Sequence, residues 1–207
     1  MTLEKGPRFR LGITGGIGSG KTSVCRVFGV LGIPVFSADR EARIIMESDE
    51  TIIQGINAIA GTDIYINGKL DRMALASIIF NNRLLLEKVD SLVHPAVFDR
   101  FIKWVPLQPG IYVIMEAAIM FESGASKLVD RIAAIAAPVE ERIERIIERS
   151  SLTREQITER IDNQMDDAER VRRSDYVINN SENDMIIPAV LKIHNEILKL
   201  INNGNVR

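Results

Sequence analysis

A chain of 207 residues, 46% hydrophobic and 26% charged, is long enough to bury a full core without a disulfide or a structural metal. Its 26 basic and 28 acidic residues leave a net charge of -2, which excludes a global field that would draw in nucleic acid or an anionic membrane. The one cysteine, Cys25, has no internal partner and points to a reducing, cytoplasmic setting; the polar start MTLEKGPRFR lacks a signal peptide's apolar run, and the most apolar stretch, 111–121, is broken by Glu116 and too short for a membrane span.

Phe9 to Thr14 reads as a short buried strand, ended by the run Gly15-Gly16-Ile17-Gly18-Ser19-Gly20. Val24, Val27, Phe28 and Leu31 recur at helical spacing, so a helix follows until Gly32, and Ile33 to Phe36 is a second strand. From Asp39 to about Leu107 the pattern is mainly helical. Within it Asn67-Gly68 marks a turn, a helix is expected from Leu70-Asp71 through Phe80, and a long pattern from Arg83 to Val105 contains Pro95, which is expected to kink or interrupt it. After Pro109-Gly110 the residues 111–115 form a compact apolar strand, and Asp130 to Ala136 form another. Pro138 opens a helix to about Arg149, Thr153 opens the next, and Tyr176 to Ile178 is the last strand. The final helix carries Ile186, Val190, Ile193, Ile197 and Ile201 on one stripe. Strands alternating with helices predict an α/β fold with a mainly parallel sheet covered by helices on both faces.

Gly15 to Thr22 fits G-x-x-x-x-G-K-[ST] between a predicted strand and a predicted helix, the setting this phosphate-binding loop requires. Glycines let the backbone turn so that the amides of Gly16, Ile17, Gly18, Ser19 and Gly20 can face phosphate oxygens, and the helix N-terminus adds partial positive charge. Lys21 can reach the β- and γ-phosphates, and the Thr22 hydroxyl can ligate Mg²⁺. There is no N-K-x-D for guanine and no D-x-x-G after a strand, so a small-molecule kinase suits the chain better than a signalling GTPase.

Further residues carry chemistry, several with a plainer alternative beside them. Asp39, just past the second strand, can accept a hydroxyl proton or can cap a helix beginning at Arg40; Arg43, a turn later, can bind acceptor phosphate or lie on a solvated face. Glu116 ends an apolar strand as a metal-associated acid would, though strand ends are also common solvated positions, and Glu122 reads as a structural partner for an arginine. Between Glu140 and Arg173 there are eight arginines and no lysine, and the planar guanidinium suits phosphate. On the helix after Pro138, Ile143, Ile146 and Ile147 form an apolar face beside a basic stripe of Arg142, Arg145 and Arg149; Arg142 is expected to be solvent-facing and salt-bridged. Cys25 reads as a packed thiol and His194 has no functional assignment.

From about Arg10 to Ser181 the chain resembles dephospho-CoA kinases. The likeness rests on the ordered series Thr14 to Thr22, Ser37-Ala38-Asp39 with Arg43, Val93-His94-Pro95, Glu116 to Glu122, Arg149-Ser150-Ser151-Leu152-Thr153, Arg160 with Gln164, and Ser174 to Asn180. The family usually has Asp and Pro where this chain has Glu116 and Ala118; glutamate keeps the charge but moves it by one methylene, and the expected metal role of Glu116 is direct or through water. The resemblance implies ATP as phosphoryl donor, Mg²⁺, and dephospho-CoA as acceptor at its ribose 3′-hydroxyl. It further implies Asp39 as catalytic base, Arg149 and secondarily Arg145 on the ATP phosphates, Asn180 in a loop near adenine, and Arg43 and His94 on the acceptor. The expected organisation is a nucleotide-binding core (1–38, 108–140, 171–207), a helical acceptor-binding insertion (39–107) and a small helical lid (141–170). A kinase of this architecture with another small acceptor is the second reading, and a non-enzymatic nucleotide switch the third.

Overall fold

The strand before the glycine-rich run lies at the centre of the fold. In a computed structural model describing residues 8–79 and 82–204, β1 (Arg10–Gly15) is the middle of a five-stranded sheet ordered β2-β5-β1-β6-β7, with β2 Val35–Ser37, β5 Val113–Glu116, β6 Arg131–Ala136 and β7 Tyr176–Asn179. Every pairing is parallel, so all five strands end at the same edge. Leu11 to Gly15 and Val113 to Glu116 are buried without alternation, as expected of strands covered on both faces. The polar first seven residues and Phe80, the expected end of a helix, lie outside the described residues.

Two compact units make up the chain, residues 38–104 and the two flanking segments. In the flanking unit, α1 (Lys21–Val30) and α9 (Ile186–Asn202) bring Val24, Phe28, Val190, Ile193 and Ile197 into one core with Leu11, Ile13 and Ile178. Each such side chain contributes about 1.5–3 kcal/mol relative to remaining exposed. The stripe read on the last helix therefore marks its buried face. Residues 139–172 form α6 (Val139–Ile147), α7 (Arg154–Asp162) and α8 (Asp167–Arg172) in this same unit. Thr153 opens α7 with a capping box: its hydroxyl accepts from the Gln156 amide and the Gln156 side chain accepts from the Thr153 amide.

The unit 38–104 holds α2 (Ala38–Ser48), α3 (Glu50–Ala60), a short antiparallel hairpin of β3 (Tyr65–Ile66) and β4 (Lys69–Leu70), α4 (Arg72–Ile79) and α5 (Arg83–Trp104). Asn67-Gly68 makes the hairpin turn, with φ of 51° and 75°. Pro95 does not interrupt α5, which runs on through 22 residues. Its missing amide frees the Ser91 carbonyl, and both residues lie on the exposed side of the helix, where water can satisfy that carbonyl. The opposite side, Val89, Val93, Val97 and Phe101 at spacings of four, is buried. No helix among the described residues is long and apolar enough to cross a membrane.

Candidate active site

Open parallel sheets bind ligands at the carboxyl ends of their strands, and most of the candidate residues of the flanking unit collect at that edge. β1 runs into the loop 16–20, and α1 starts at Lys21 directly after it. The Lys21 ammonium donates to the carbonyls of Gly15 (2.8 Å) and Gly16 (3.3 Å), so it lies back along the loop it serves. Thr22 is exposed on the first turn of α1. Gly20 stands at the N-cap with φ 94°, a left-handed conformation, and a Cβ there would collide with the Asn180 amide nitrogen.

Asn180 follows β7 and reaches back to the loop: its Nδ2 donates to the Ser19 carbonyl at 2.8 Å, while its own carbonyl accepts from Arg145 Nη2 at 2.9 Å. Arg145 is also paired with Glu141 one turn earlier at 2.8 Å. Two predicted ATP-side residues are thus joined to the phosphate loop. Arg149 is not; it lies in the exposed turn after α6, and its side chain has no hydrogen bond or ion pair with the described residues.

Arg142 overturns its expected solvent-facing place. It is 1% exposed, donates from Nε to the Ile17 carbonyl at 2.8 Å, and is ion-paired through Nη1 with Asp167. Arg170, 2% exposed, shares the same carboxylate and donates to the Met165 carbonyl at 2.7 Å. The Gln164 side chain accepts from the Ile17 amide at 2.8 Å, so both polar backbone groups of that loop residue are held by side chains from the 139–172 segment. None of these roles was assigned from the residues alone. The available signal was the row Val139, Arg142, Ile146 at spacings of three and four, which continues the apolar face through an arginine. Glu122, expected to pair with an arginine, instead accepts from the Met165 amide at 3.1 Å.

Glu116 ends β5 opposite Ser37 of β2, is 9% exposed, and accepts a 2.7 Å hydrogen bond from the Ser37 hydroxyl. The carboxylate is therefore oriented rather than loosely solvated. Among the described residues no group of three or more His, Cys, Asp or Glu side chains could hold a metal. A hydroxyl at Thr22 and a carboxylate at Glu116 nevertheless suit Mg²⁺, which keeps several waters and takes much of its coordination from nucleotide phosphates. Cys25, on α1, is buried; burial, and secondarily the Glu116 charge, push its thiol up to about 12 against the opposing pull of Lys21.

In the unit 38–104, Asp39 is the second residue of α2, in its first turn and exposed, so it is not the residue that caps the helix. Arg43 is exposed one turn on. His94 is half-buried on α5, with Nε2 3.6 Å from Asp90 and its ring stacked on Phe98. Burial raises the Asp90 carboxyl above its ordinary range; the neighbouring His94 opposes that shift and Glu87 adds to it.

Residues 9–185 match the family profile described as dephospho-CoA kinase (CoaE). A Bacteroides fragilis dephospho-CoA kinase is 36% identical over 185 residues, covering 89% of this chain and 90% of its own length. A Chlorobium luteolum dephospho-CoA kinase is 38% identical over 180 residues, covering 83% and 82%. Among solved structures, a Thermus thermophilus protein superposes with a TM-score of 0.83 at 30% identity over 93% of this chain and 99% of its own. A dephospho-CoA kinase from Campylobacter jejuni shares the fold, with a TM-score of 0.66 at 23% identity over 95% and 98%.

Proposed function

The chain belongs to the dephospho-CoA kinase family, and from that membership we propose that it transfers the γ-phosphoryl group of ATP to the ribose 3′-hydroxyl of dephospho-CoA, giving coenzyme A and ADP. The observation that carries this reading is the phosphate loop at the carboxyl end of β1 in a chain that matches the family over residues 9–185.

In this reading Lys21 and the loop amides other than that of Ile17, which Gln164 already holds, take the β- and γ-phosphates. The flexible lysine stem lets the ammonium exchange its two loop carbonyls for phosphate oxygens. Arg145 and Asn180 shape the loop's far side toward the adenosine, and Arg149, unengaged and exposed, is free to close on the transferring group. Thr22 and Glu116 would hold Mg²⁺, which when bound would neutralise charge on the phosphate oxygens. Asp39 takes the proton of the acceptor hydroxyl as that oxygen bonds to the γ-phosphorus and the bond to the β–γ bridging oxygen breaks. Arg43 and His94 bind the acceptor. The 38–104 unit is then the acceptor-binding unit and residues 141–170 the lid, with no nucleic acid or membrane among the partners.

Phosphorus NMR with MgATP and a panel of dephospho-CoA, AMP, gluconate and shikimate tests the reading. A new 3′-phosphomonoester on dephospho-CoA alone is the expected result. Phosphorylation of another panel member would replace the acceptor, and ADP formation with no phosphorylated acceptor would remove kinase activity altogether.

A further inference from the structure

Two guanidiniums buried beside one carboxylate leave a charge unaccounted for. Arg142 and Arg170 are among the largest fully buried side chains of the protein, and Asp167 is the acid paired with both. Among the described residues no second carboxylate pairs with either. The Asp167 side chain is itself 45% exposed, beside a cavity of about 290 Å³ lined also by Val139, Arg142, Ile161 and Gln164, so water takes a share of its charge. Arg142 Nη2 and Arg170 Nε are buried and have no hydrogen-bond partner among the described residues. Burying net charge and unpaired donors is costly, and a fold keeps such an arrangement where a compensating group arrives.

The place of that charge says which group. Arg142 holds the Ile17 carbonyl, and its guanidinium lies so close beneath Gly16 that a Cβ on that residue would overlap it. The neighbouring Ile17 amide is held by Gln164. The uncompensated cation therefore stands directly against the loop whose amides are suited to phosphate.

We propose that Arg142, fixed by Asp167, is a positioning residue of the phosphate loop, anchoring the Ile17 carbonyl and setting one uncompensated positive charge against the loop for the nucleotide's phosphates to neutralise. The inference rests on the nucleotide-binding part of the proposed function. It makes nucleotide affinity depend on phosphate charge through a residue that does not touch the acceptor. It also makes the bound polyphosphate a stabiliser of the buried cluster.

Isothermal titration calorimetry with MgATP and MgADP on the full chain, together with thermal unfolding, tests this. Arg142→Gln keeps a donor for Ile17 and removes the charge; it is expected to weaken MgATP by about tenfold and MgADP by less. Arg142→Lys restores the charge without the planar fork and should recover most of the loss. Asp167→Asn leaves two unpaired cations: its melting temperature without nucleotide should fall, and MgATP should raise it by more than in the wild type. Equal affinities for both nucleotides in Arg142→Gln and wild type would reduce Arg142 to a structural residue and overturn the proposal. Should Arg142→Gln not fold, the Asp167→Asn shift decides alone, and a shift no larger than that of the wild type overturns it. A wild type that binds MgATP without phosphorylating dephospho-CoA would remove the acceptor assignment and leave the clamp standing, whereas one that binds neither nucleotide would remove both.

Discussion

Two glycines of one helix region are expected to respond to alanine with opposite signs. Gly20 adopts φ 94°, ψ 20°, where an L side chain costs about 1–2 kcal/mol. Its added Cβ would also meet Asn180 Nδ2 and displace it from the Ser19 carbonyl, losing a bond worth about 1 kcal/mol. Gly20→Ala should therefore cost about 2–3 kcal/mol, a fall of about 4–12 °C in melting temperature for a chain of this size. Gly29, inside α1, has open space where a Cβ would go, so Gly29→Ala should stabilise by about 0.5–1 kcal/mol. Thermal unfolding followed by circular dichroism measures both. Asn180→Ala supplies the decisive cross-check, because it removes beforehand the bond that the Gly20 methyl would break. The double variant should be less destabilised than the sum of the two singles by about 1 kcal/mol. Strict additivity would show that Asn180 and the loop are not in contact, and an unchanged melting temperature in Gly20→Ala would refute the left-handed cap.

The site makes three further predictions. Asp39→Asn should lower kcat by about 10²–10⁴-fold while MgATP still binds with wild-type affinity; near-normal turnover would take Asp39 out of the base role. Lys21→Ala should reduce kcat/KM for ATP by about 10²-fold or more, and an unchanged value would contradict phosphate contact by that ammonium. The Cys25 thiol, pushed up to about 12 chiefly by burial, carries almost no thiolate at pH 8. A disulfide reagent at that pH should leave the native protein unlabelled and label one thiol per chain in guanidinium chloride; rapid native labelling would refute its burial.

What could be read without coordinates was what neighbouring residues decide among themselves. The loop from Gly15 to Thr22 and its flanking strand and helix follow from local spacing, and so does the helix start at Thr153. The β3–β4 hairpin escaped because each strand has only two residues, too few for an alternation to register, although its Asn67-Gly68 turn was visible. Of the two outcomes expected at Pro95, a kink or an interruption, the interruption does not occur, because the freed carbonyl lies on the side of α5 that faces out, where water can satisfy it.

Arg142 escaped for a stronger reason. Periodicity assigns burial by residue type, so a charged residue in α6 is read as solvent-facing whatever lies over it. Its partners, Ile17 and Asp167, stand 125 and 25 positions away, and only the closed fold brings them together. Gln164, 147 positions from the Ile17 amide, was noticed as part of a family pattern but had no physical role until that contact was seen. The same distance separates positioning from binding. Amides and a lysine suited to phosphate can be supplied by one short segment of chain. Holding that segment in a single geometry requires side chains from elsewhere, and a buried arginine suits the task because its fork can grip a carbonyl and a carboxylate at once while its charge remains. A disagreement between local pattern and observed burial, such as the one at Arg142, is expected where a chain serves a functional or strained site rather than its fold alone.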